Sequence, residues 1–287
     1  MEEKKTMNAW KQKQSILSLI MLSAYFISQT TFAIKAPVLD QHLVFQIPKY
    51  FNTQTVYTTP LQAWEITPNF DYAKVGKNSY FYEIPLALSY GITDRWMASA
   101  SWSPLNIINK NDGQNARGIG DATIGTKYRF PFIYDSNFST ALGMSINFPL
   151  ADVNEELTDG NIQYFPYGVV AYSFPGWGYT QFILQGGLDF LERVKYNVDP
   201  KKNEPAATEV VFNTGFDVPS NHINYLFLFN LVNNQWSGGK TNIITFNPGI
   251  LWQPVSSFTT GAAVPLRLNK GANQLGALIF MDYIFAV

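Results

Sequence analysis

Hydrophobic and polar residues alternate along most of the chain after residue 60. The clearest example is the segment 118–130, where one face is mostly apolar and the other carries Asp121, Lys127 and Arg129. A period of two indicates a β-strand with unlike faces. Such a strand suits a soluble sandwich with its charges in water. It also suits a transmembrane barrel, whose apolar face meets lipid while its charges line a wet interior.

The same alternation recurs in twelve segments, which we interpret as antiparallel strands. They are 61–72, 79–90, 95–103, 118–130, 137–150, 161–174, 179–191, 208–218, 223–236, 241–253, 258–268 and 274–287. An even strand number is typical of single-chain bacterial barrels. The pattern therefore predicts an all-β fold, namely a closed antiparallel up-and-down transmembrane β-barrel of twelve strands.

The connections between these segments differ in length between the two ends of the predicted barrel. Short turns are expected at 91–94, 175–178, 219–222 and 254–257, and longer polar loops include 104–117 and 151–160. Long outer loops and short periplasmic turns are typical of membrane barrels, so we expect both termini in the periplasm. The short connection after the ninth strand departs from this rule.

Large aromatic residues gather near the predicted strand ends. On the periplasmic side these are Tyr90, Trp96, Tyr128, Phe130, Phe138, Phe174, Trp252 and Phe258, and on the other side Tyr72, Tyr80, Trp102, Phe148 and Trp236. Rings with an apolar body and a polar tip favour the two membrane interfaces. This distribution favours a membrane barrel over a soluble sandwich or a periplasmic lipocalin-like barrel.

The amino terminus has the pattern of an export signal. A lysine-rich region precedes the apolar run 16–27, and Ala33 supplies a small residue of the kind a signal peptidase accepts. The run is too short for an ordinary spanning helix, although an uncleaved anchor is the alternative. We therefore expect a cleaved signal peptide at 1–33, a periplasmic or lumenal extension at 34–59, and an outer-membrane barrel at 60–287. Translation from Met7 rather than Met1 is a second open alternative.

Composition argues against several classes of function. The chain has no Cys and a formal net charge of -1, so disulfides, thiolate metal sites and Cys nucleophiles are excluded, and nucleic acid is not an expected partner. His42 lies in the extension and His222 in a predicted turn, and neither adjoins a suitable Ser or Asp on a strand. The acidic loop with Asp152, Glu155, Glu156 and Asp159 has no defined ligand spacing, so we interpret it as solvated. We expect no enzyme, no metal and no cofactor.

Two segments together carry a family resemblance. They are 90–96, Tyr-Gly-Ile-Thr-Asp-Arg-Trp, and 118–130, which begins Gly-Ile-Gly-Asp and ends Lys-Tyr-Arg-Phe. They resemble the outer-membrane protein family named for the meta-pathway of phenol degradation, whose members are described as transporters. The resemblance implies an outer-membrane barrel that passes small hydrophobic or aromatic compounds. Barrels of this kind usually end in an aromatic residue, whereas this chain ends in Val287.

Charged residues on the inward faces of the strands are the candidate functional residues. They are Glu65, Glu83, Asp121, Lys127, Arg129, Asp189, Asp217, Arg267 and Asp282. They could form a network that fills the interior or a polar constriction that selects solutes. Twelve strands lie between barrels filled by side chains and those with an aqueous channel. We therefore expect a narrow lumen, partly blocked by side chains or by 34–59.

These expectations combine into two functional hypotheses. The first is a narrow channel or transporter for small, hydrophobic or aromatic solutes, based on a mixed lumen. Its predicted apolar lining comprises Phe81, Phe165, Tyr167, Leu226, Leu228 and Phe280. The alternative is a closed structural or surface-interaction barrel without transport activity. Expected partners are outer-membrane lipids, a small-molecule solute and the outer-membrane assembly machinery.

Overall fold

The computed structural model describes residues 47–75, 79–109, 115–131, 137–151, 157–158, 160–192, 207–233, 242–269 and 275–286. The predicted signal peptide, residues 34–46, His42, Trp236 and the four carboxylates of the acidic loop lie outside these ranges. The chain divides into two units, Met1–Lys35 with Ala286–Val287, and Ala36–Phe285, which contains the barrel. No helix in the described part of the chain is long and apolar enough to cross a bilayer.

Sixteen strand segments account for nearly all the regular structure in the described ranges. They are β1 Lys49–Tyr50, β2 Thr53–Gln54, β3 Ala63–Val75, β4 Ser79–Thr93, β5 Trp96–Asn109, β6 Asn115–Gly118, β7 Ala122–Arg129, β8 Phe138–Phe148, β9 Gln163–Phe174, β10 Thr180–Leu191, β11 Ala207–Ser220, β12 Ile223–Asn233, β13 Asn242–Val255, β14 Phe258–Ala263, β15 Leu266–Arg267 and β16 Leu275–Ala286. A short 3₁₀ turn, Pro175–Trp177, precedes β10.

Fourteen of these segments form one antiparallel sheet that closes on itself. From β3 to β14 each segment pairs with the next one along the chain, except that β6 and β7 both pair with β5. Strand β15 pairs with β13 and β16, and β16 closes the sheet between β14 and β3. Because β6 continues into β7 and β14 into β15, the wall consists of twelve spanning strands. The prediction of a closed antiparallel twelve-stranded barrel is confirmed.

Alternation along each strand separates the inner wall from the outer surface. In β12, Leu226 and Leu228 are completely buried. Phe227 and Phe229, which alternate with them along the strand, are more than 40% exposed. Large exposed apolar side chains of this kind recur on nearly every strand. A continuous apolar band on the outer surface is what a barrel needs to face lipid.

Aromatic pairs join neighbouring strands at the end of the barrel that carries the short turns. Trp96 pairs with Tyr128 across β5 and β7, and the rings of Trp64 and Tyr90 lie 4.7 Å apart on β3 and β4. Phe258 pairs with Tyr283 across β14 and β16. These pairs form part of the aromatic girdle that the sequence predicts at this end.

The prediction of a polar loop at 104–117 is wrong over most of that segment. Strand β5 continues to Asn109, and β6 begins at Asn115 and pairs with it in register from Asn106↔Gly118 to Asn109↔Asn115. Backbone pairing does not require an apolar face, so a hairpin can continue where its side chains are polar. The third predicted strand, 95–103, therefore ends too early, because the polar residues after it were interpreted as a loop.

A short segment, residues 47–59, lies inside the barrel and is not part of its wall. We name it the plug. Its strands β1 and β2 form a two-stranded hairpin of their own, and its turn contains Phe51 at a positive φ of 51°. Ile47, Tyr50, Val56 and Tyr57 of the plug are buried in one cluster with apolar residues of the inner wall. The hydrophobic core of this barrel is therefore the contact between plug and wall.

The connection from the plug to β3 crosses the wall at Gly91. Leu61 forms a bridge with Gly91, and the Gln62 amide donates to the Gly91 carbonyl at 2.8 Å. A Cβ atom on residue 91 would lie 1.8 Å from the Pro60 carbonyl oxygen. Glycine is needed here for close backbone approach within β4, whereas the sequence suggested only turn chemistry.

Candidate functional site in the barrel interior

The plug packs against the apolar part of the inner wall. Tyr167, Leu226, Leu228 and Phe280 belong to the cluster that surrounds it, and the ring of Phe280 meets Phe51 edge-on at 5.2 Å. These four wall residues were expected to line a narrow, partly blocked lumen. They are instead covered by the plug, because burying apolar surface against it is favourable.

The side chain of Lys127 binds the backbone of the plug. Its Nζ donates to the carbonyl oxygens of Pro48 at 2.7 Å and Thr55 at 3.2 Å, so that one ammonium group joins both halves of the hairpin. The residue is only 2% exposed. A buried ammonium is costly unless its protons have acceptors, and the plug carbonyls supply them.

Asp217 binds a side chain of the plug, that of Tyr50. One carboxylate oxygen accepts a hydrogen bond from the Tyr50 hydroxyl at 2.7 Å, and the other accepts one from Asn224 Nδ2 at 2.7 Å. All three residues are completely buried. Asn224, on β12, orients the carboxylate toward Tyr50.

A pair of neighbouring carboxylates lies where β3 and β16 close the barrel. Glu65 accepts from the Thr59 hydroxyl at 2.8 Å, at the end of the plug. Asp282 accepts from the Thr67 hydroxyl at 2.9 Å and adjoins Glu65. Both carboxylates are at most 3% exposed, so this pair links the closing strands to the plug.

Arg129 contacts the plug through an aromatic ring. Its guanidinium carbon lies 5.3 Å from the centre of the Tyr57 ring, within the range of a cation–π contact. The Tyr57 hydroxyl accepts a hydrogen bond from Gln181 Nε2 at 2.9 Å. Tyr57 is thus held between β7 and β10.

The remaining predicted residues lie on the inner wall away from these contacts. Glu83 accepts from the Ser103 hydroxyl, and Asp121 accepts from the Thr158 hydroxyl at 2.8 Å. Asp189 and Arg267 line cavities. The nine candidates therefore do not converge on one constriction, and whether any of them selects a solute stays a prediction.

A row of amide side chains was missed by the sequence interpretation. Gln185, Asn213, Asn230 and Asn247 follow one another on β10, β11, β12 and β13, each joined to the next by a hydrogen bond. Gln185 also accepts from the backbone amide of Gln54, and Asn213 donates to the Asn52 carbonyl. The predicted inward lining comprised charged and apolar residues, and it left out these four amides although they also occupy inward positions.

Two cavities remain beside the plug. The lower cavity, of about 390 Å³, is lined by Lys49, Glu65, Asp189 and Phe165 among others. The upper cavity, of about 400 Å³, lies toward the end with the longer loops, and Arg267 and Phe81 line it. Asp71 and the plug residue Asn52 line both. The plug tip therefore separates the two spaces.

The described residues do not form a metal centre or a histidine-based catalytic group. No three His, Asp or Glu side chains of the described ranges lie close enough together to hold a metal ion. His222 lies exposed in the turn between β11 and β12. That this protein is not an enzyme stays a prediction.

Structural comparison finds the same fold in outer-membrane porins and channels. The COG4313 outer membrane channel from Pseudomonas putida F1 superposes with a TM-score of 0.60 at 7% identity, covering 79% of this chain and 96% of that one. A NanC porin gives 0.53 at 13% identity with 76% and 98% covered, and a KdgM porin gives 0.50 at 12% identity with 76% and 99% covered. At these identities the likeness concerns the fold.

Comparison with protein-family models and with curated proteins finds no match. The meta-pathway phenol-degradation family therefore stays a prediction from the two sequence motifs. The structural neighbours show that this chain shares its barrel fold with outer-membrane porins and channels.

Proposed function

We propose that this protein is an outer-membrane channel for small solutes whose periplasmic end is closed by the plug. The observation that carries the proposal is a closed barrel with an apolar outer band and an interior that holds two cavities around a segment whose contacts with the inner wall are all non-covalent. Such a segment can leave or rearrange without breaking the wall. The channel function of the structural neighbours agrees with this proposal.

Hydrophobic or aromatic solutes are the class that the family resemblance implies. Phe165 and Phe81 line the two cavities. Movement of the plug would add Leu226, Leu228 and Phe280 to the accessible wall, because these residues are buried against it. An open state would therefore present a continuous apolar strip beside the amide row.

Deleting the plug tests the channel directly. The full barrel and a variant that lacks residues 47–59 would be incorporated into planar bilayers, after heat-modifiable gel mobility has shown that both are folded. We expect rare openings for the intact protein and sustained conductance for the deletion. A folded deletion variant without conductance would contradict the proposal.

A closed structural or surface-interaction barrel is the second candidate. The complete burial of Tyr50, Thr55 and Val56 favours it, since it shows how fully the plug fills its end of the lumen. This candidate predicts no conductance with or without the plug. It also predicts that shortening the outer loop 192–205 has a cellular phenotype while changes in the lumen have none.

The outer membrane is the proposed location, with its lipids and the assembly machinery as partners. The apolar outer band and the porin-like fold support this location. Cell fractionation tests it, with the protein expected in outer-membrane fractions and with heat-modifiable mobility. Recovery in the soluble periplasmic fraction would contradict it.

A further inference from the structure

The upper cavity has the plug tip as one wall and the barrel as the others. Asn52 at the tip is fixed by Asn213, whose amide donates to the Asn52 carbonyl at 3.2 Å. The cavity of about 400 Å³ falls in the size range of small-molecule sites. A molecule bound here would touch both the wall and the plug.

Asn247 lines this cavity, and its Oδ1 atom is buried just behind the cavity surface. Its Nδ2 donates to Asn230 within the amide row. Its Oδ1 is buried and has no hydrogen-bond partner among the described residues, and the residue as a whole is 2% exposed. A buried amide oxygen without a partner is costly, so a ligand that donates a hydrogen bond would favour a small rotation that brings this atom to the cavity surface.

Arg267 and Asp71 place opposite charges on the same cavity. They lie on β15 and β3, the two neighbours of β16. The guanidinium of Arg267 makes one hydrogen bond within the described ranges, from Nε to Asn269 at 3.3 Å. One cation and one anion give the cavity donors and acceptors without a net charge.

The polar groups are spread around the cavity rather than gathered on one side. They extend from Asn213 and Asn230 on β11 and β12, through Asn247 and Arg267, to Asp71 on β3. A ligand with a single polar edge, such as a monohydric phenol, could meet only part of this arc. A ligand with hydroxyl groups around its rim could meet all of it, because each hydroxyl both donates and accepts.

Apolar side chains supply the rest of the lining. Phe81, Val211, Val232 and Leu278 border the same space. An aromatic ring and branched aliphatic groups pack well against the C–H face of a saturated ring. The lining therefore matches a molecule whose edge is polar and whose face is apolar.

From this arrangement we propose that the upper cavity binds one uncharged polyhydroxylated ring of monosaccharide size. The proposal deepens the proposed channel function by naming the solute class of this cavity, which differs from the hydrophobic or aromatic class that the family resemblance implies. It rests on the channel function only for transport. Binding itself requires only the cavity. The bound ring would donate to Asn247 Oδ1 and Asp71 and accept from Arg267.

Titration calorimetry on the intact barrel tests this site. The protein would be held in a detergent without a sugar headgroup, so that the micelle cannot compete. The probes are glucose and galactose, with glucuronate, glucosamine and catechol as comparisons. We expect at least one of the two neutral sugars to bind, and the charged analogues and catechol to bind at least tenfold more weakly.

Three variants locate the binding. Asn247→Leu is expected to weaken sugar binding about fivefold, the effect of one neutral hydrogen bond. Arg267→Met is expected to weaken it about tenfold, because its bonds are charge-assisted. The matched control is Gln163→Leu, which removes an amide that lines only the lower cavity, and its binding should be unchanged. Heat-modifiable mobility confirms that each variant is folded.

Failure of either proposal can be recognised separately. Tighter binding of catechol or glucuronate than of both sugars would overturn the site, as would equal loss in the Gln163→Leu control. Conductance of the plug deletion without any sugar binding would overturn the site and leave the channel. Sugar binding without conductance in that deletion would overturn the channel and leave the site.

Discussion

Single wall residues fix the plug through its backbone as well as through its side chains. Lys127 binds two plug carbonyls, Asn213 binds a third, and Gln185 accepts from a plug amide. Such contacts depend on the path of the segment more than on its side chains. Side-chain contacts add to these, such as the hydrogen bond that the Tyr50 hydroxyl donates to Asp217.

Replacing Lys127 with Met tests the strongest of these contacts. The substitution keeps most of the side-chain length and removes both donated hydrogen bonds, each of which is charge-assisted and contributes roughly 1.5 kcal/mol or more. Because the two bonds together contribute roughly 3 kcal/mol, and about 1.4 kcal/mol corresponds to a factor of ten, we expect the open fraction in planar bilayers to rise about a hundredfold. Lys74→Met is the control, since Lys74 lies over the Tyr80 ring and not at the plug. Equal conductance in the two variants would exclude Lys127 as a plug anchor.

Replacing Gly91 with Ala tests the crossing between plug and wall. The added methyl group would overlap the Pro60 carbonyl, and backbone atoms cannot turn aside as a flexible side chain can. We expect a loss of about 1–3 kcal/mol in stability, as for other overpacked sites, seen as a lower midpoint in heat-modifiable mobility. Gly186→Ala should leave the midpoint nearly unchanged, because the described residues beyond its chain neighbours leave at least 4 Å around the added methyl group. A midpoint for Gly91→Ala equal to that of the control would contradict the close approach.

At the scale of elements, the sequence predicts the wall strand by strand, whereas for the plug it predicts only a periplasmic or lumenal extension that could block part of the lumen. Strands such as β7 and β12 follow from alternation, because each has one face toward lipid and one toward the interior. The plug has no such period, and its contacts join residues far apart in the chain, as Tyr50 and Asp217 do. The role of Gly91 was hidden for the same reason, since its partner Pro60 belongs to another element.

The inward charges were found by sequence because polar residues on a strand face are easy to detect. Their partners could not be found, so Lys127 and Asp217 were interpreted as possible lumen lining rather than as plug anchors. The amides Asn213 and Asn230 were overlooked because asparagine on a strand carries no charge signal. Cross-strand register, which the sequence does not specify, brings them together.

A covalent link between plug and wall tests whether the plug is the moving element. The chain has no Cys, so Asn52→Cys with Asn213→Cys gives a unique pair at a contact observed in the structure. In the Lys127→Met protein, a short thiol-reactive crosslinker should return conductance to the level of the intact protein. Each single-Cys variant, treated in the same way, should stay open. Persistent conductance after complete crosslinking would mean that solutes do not pass the plug.

For the whole molecule, the inside and the outside of the barrel follow different rules. Many polar groups of the inner wall are satisfied by the plug, the amide row and the hydroxyls of the wall itself, as Glu83 is by Ser103. The outer surface leaves Leu142, Ile250 and Met281 at least half exposed. In water that surface would promote aggregation, whereas in lipid it contributes to stability. The fold thus depends on its surroundings as well as on its contacts.

A charged residue placed on this outer surface distinguishes lipid from water. Ile124 is 49% exposed and lies four residues before Tyr128, near the middle of the expected apolar band. Ile124→Arg should lower the free energy of unfolding in lipid vesicles by about 2–4 kcal/mol, the cost of arginine at the bilayer midplane. Ile92→Arg is the matched control, because Ile92 is also exposed but lies beside a turn, where the cost falls to about 0–1 kcal/mol.

Denaturant titration of both variants in the same vesicles gives the comparison. A barrel whose outer surface met water would tolerate arginine equally well at the two positions, since exposed surface substitutions change stability little. A difference of at least about 2 kcal/mol between the variants therefore requires lipid at Ile124. Equal stabilities would show that the apolar band does not span a bilayer, and the channel proposal would fail with it.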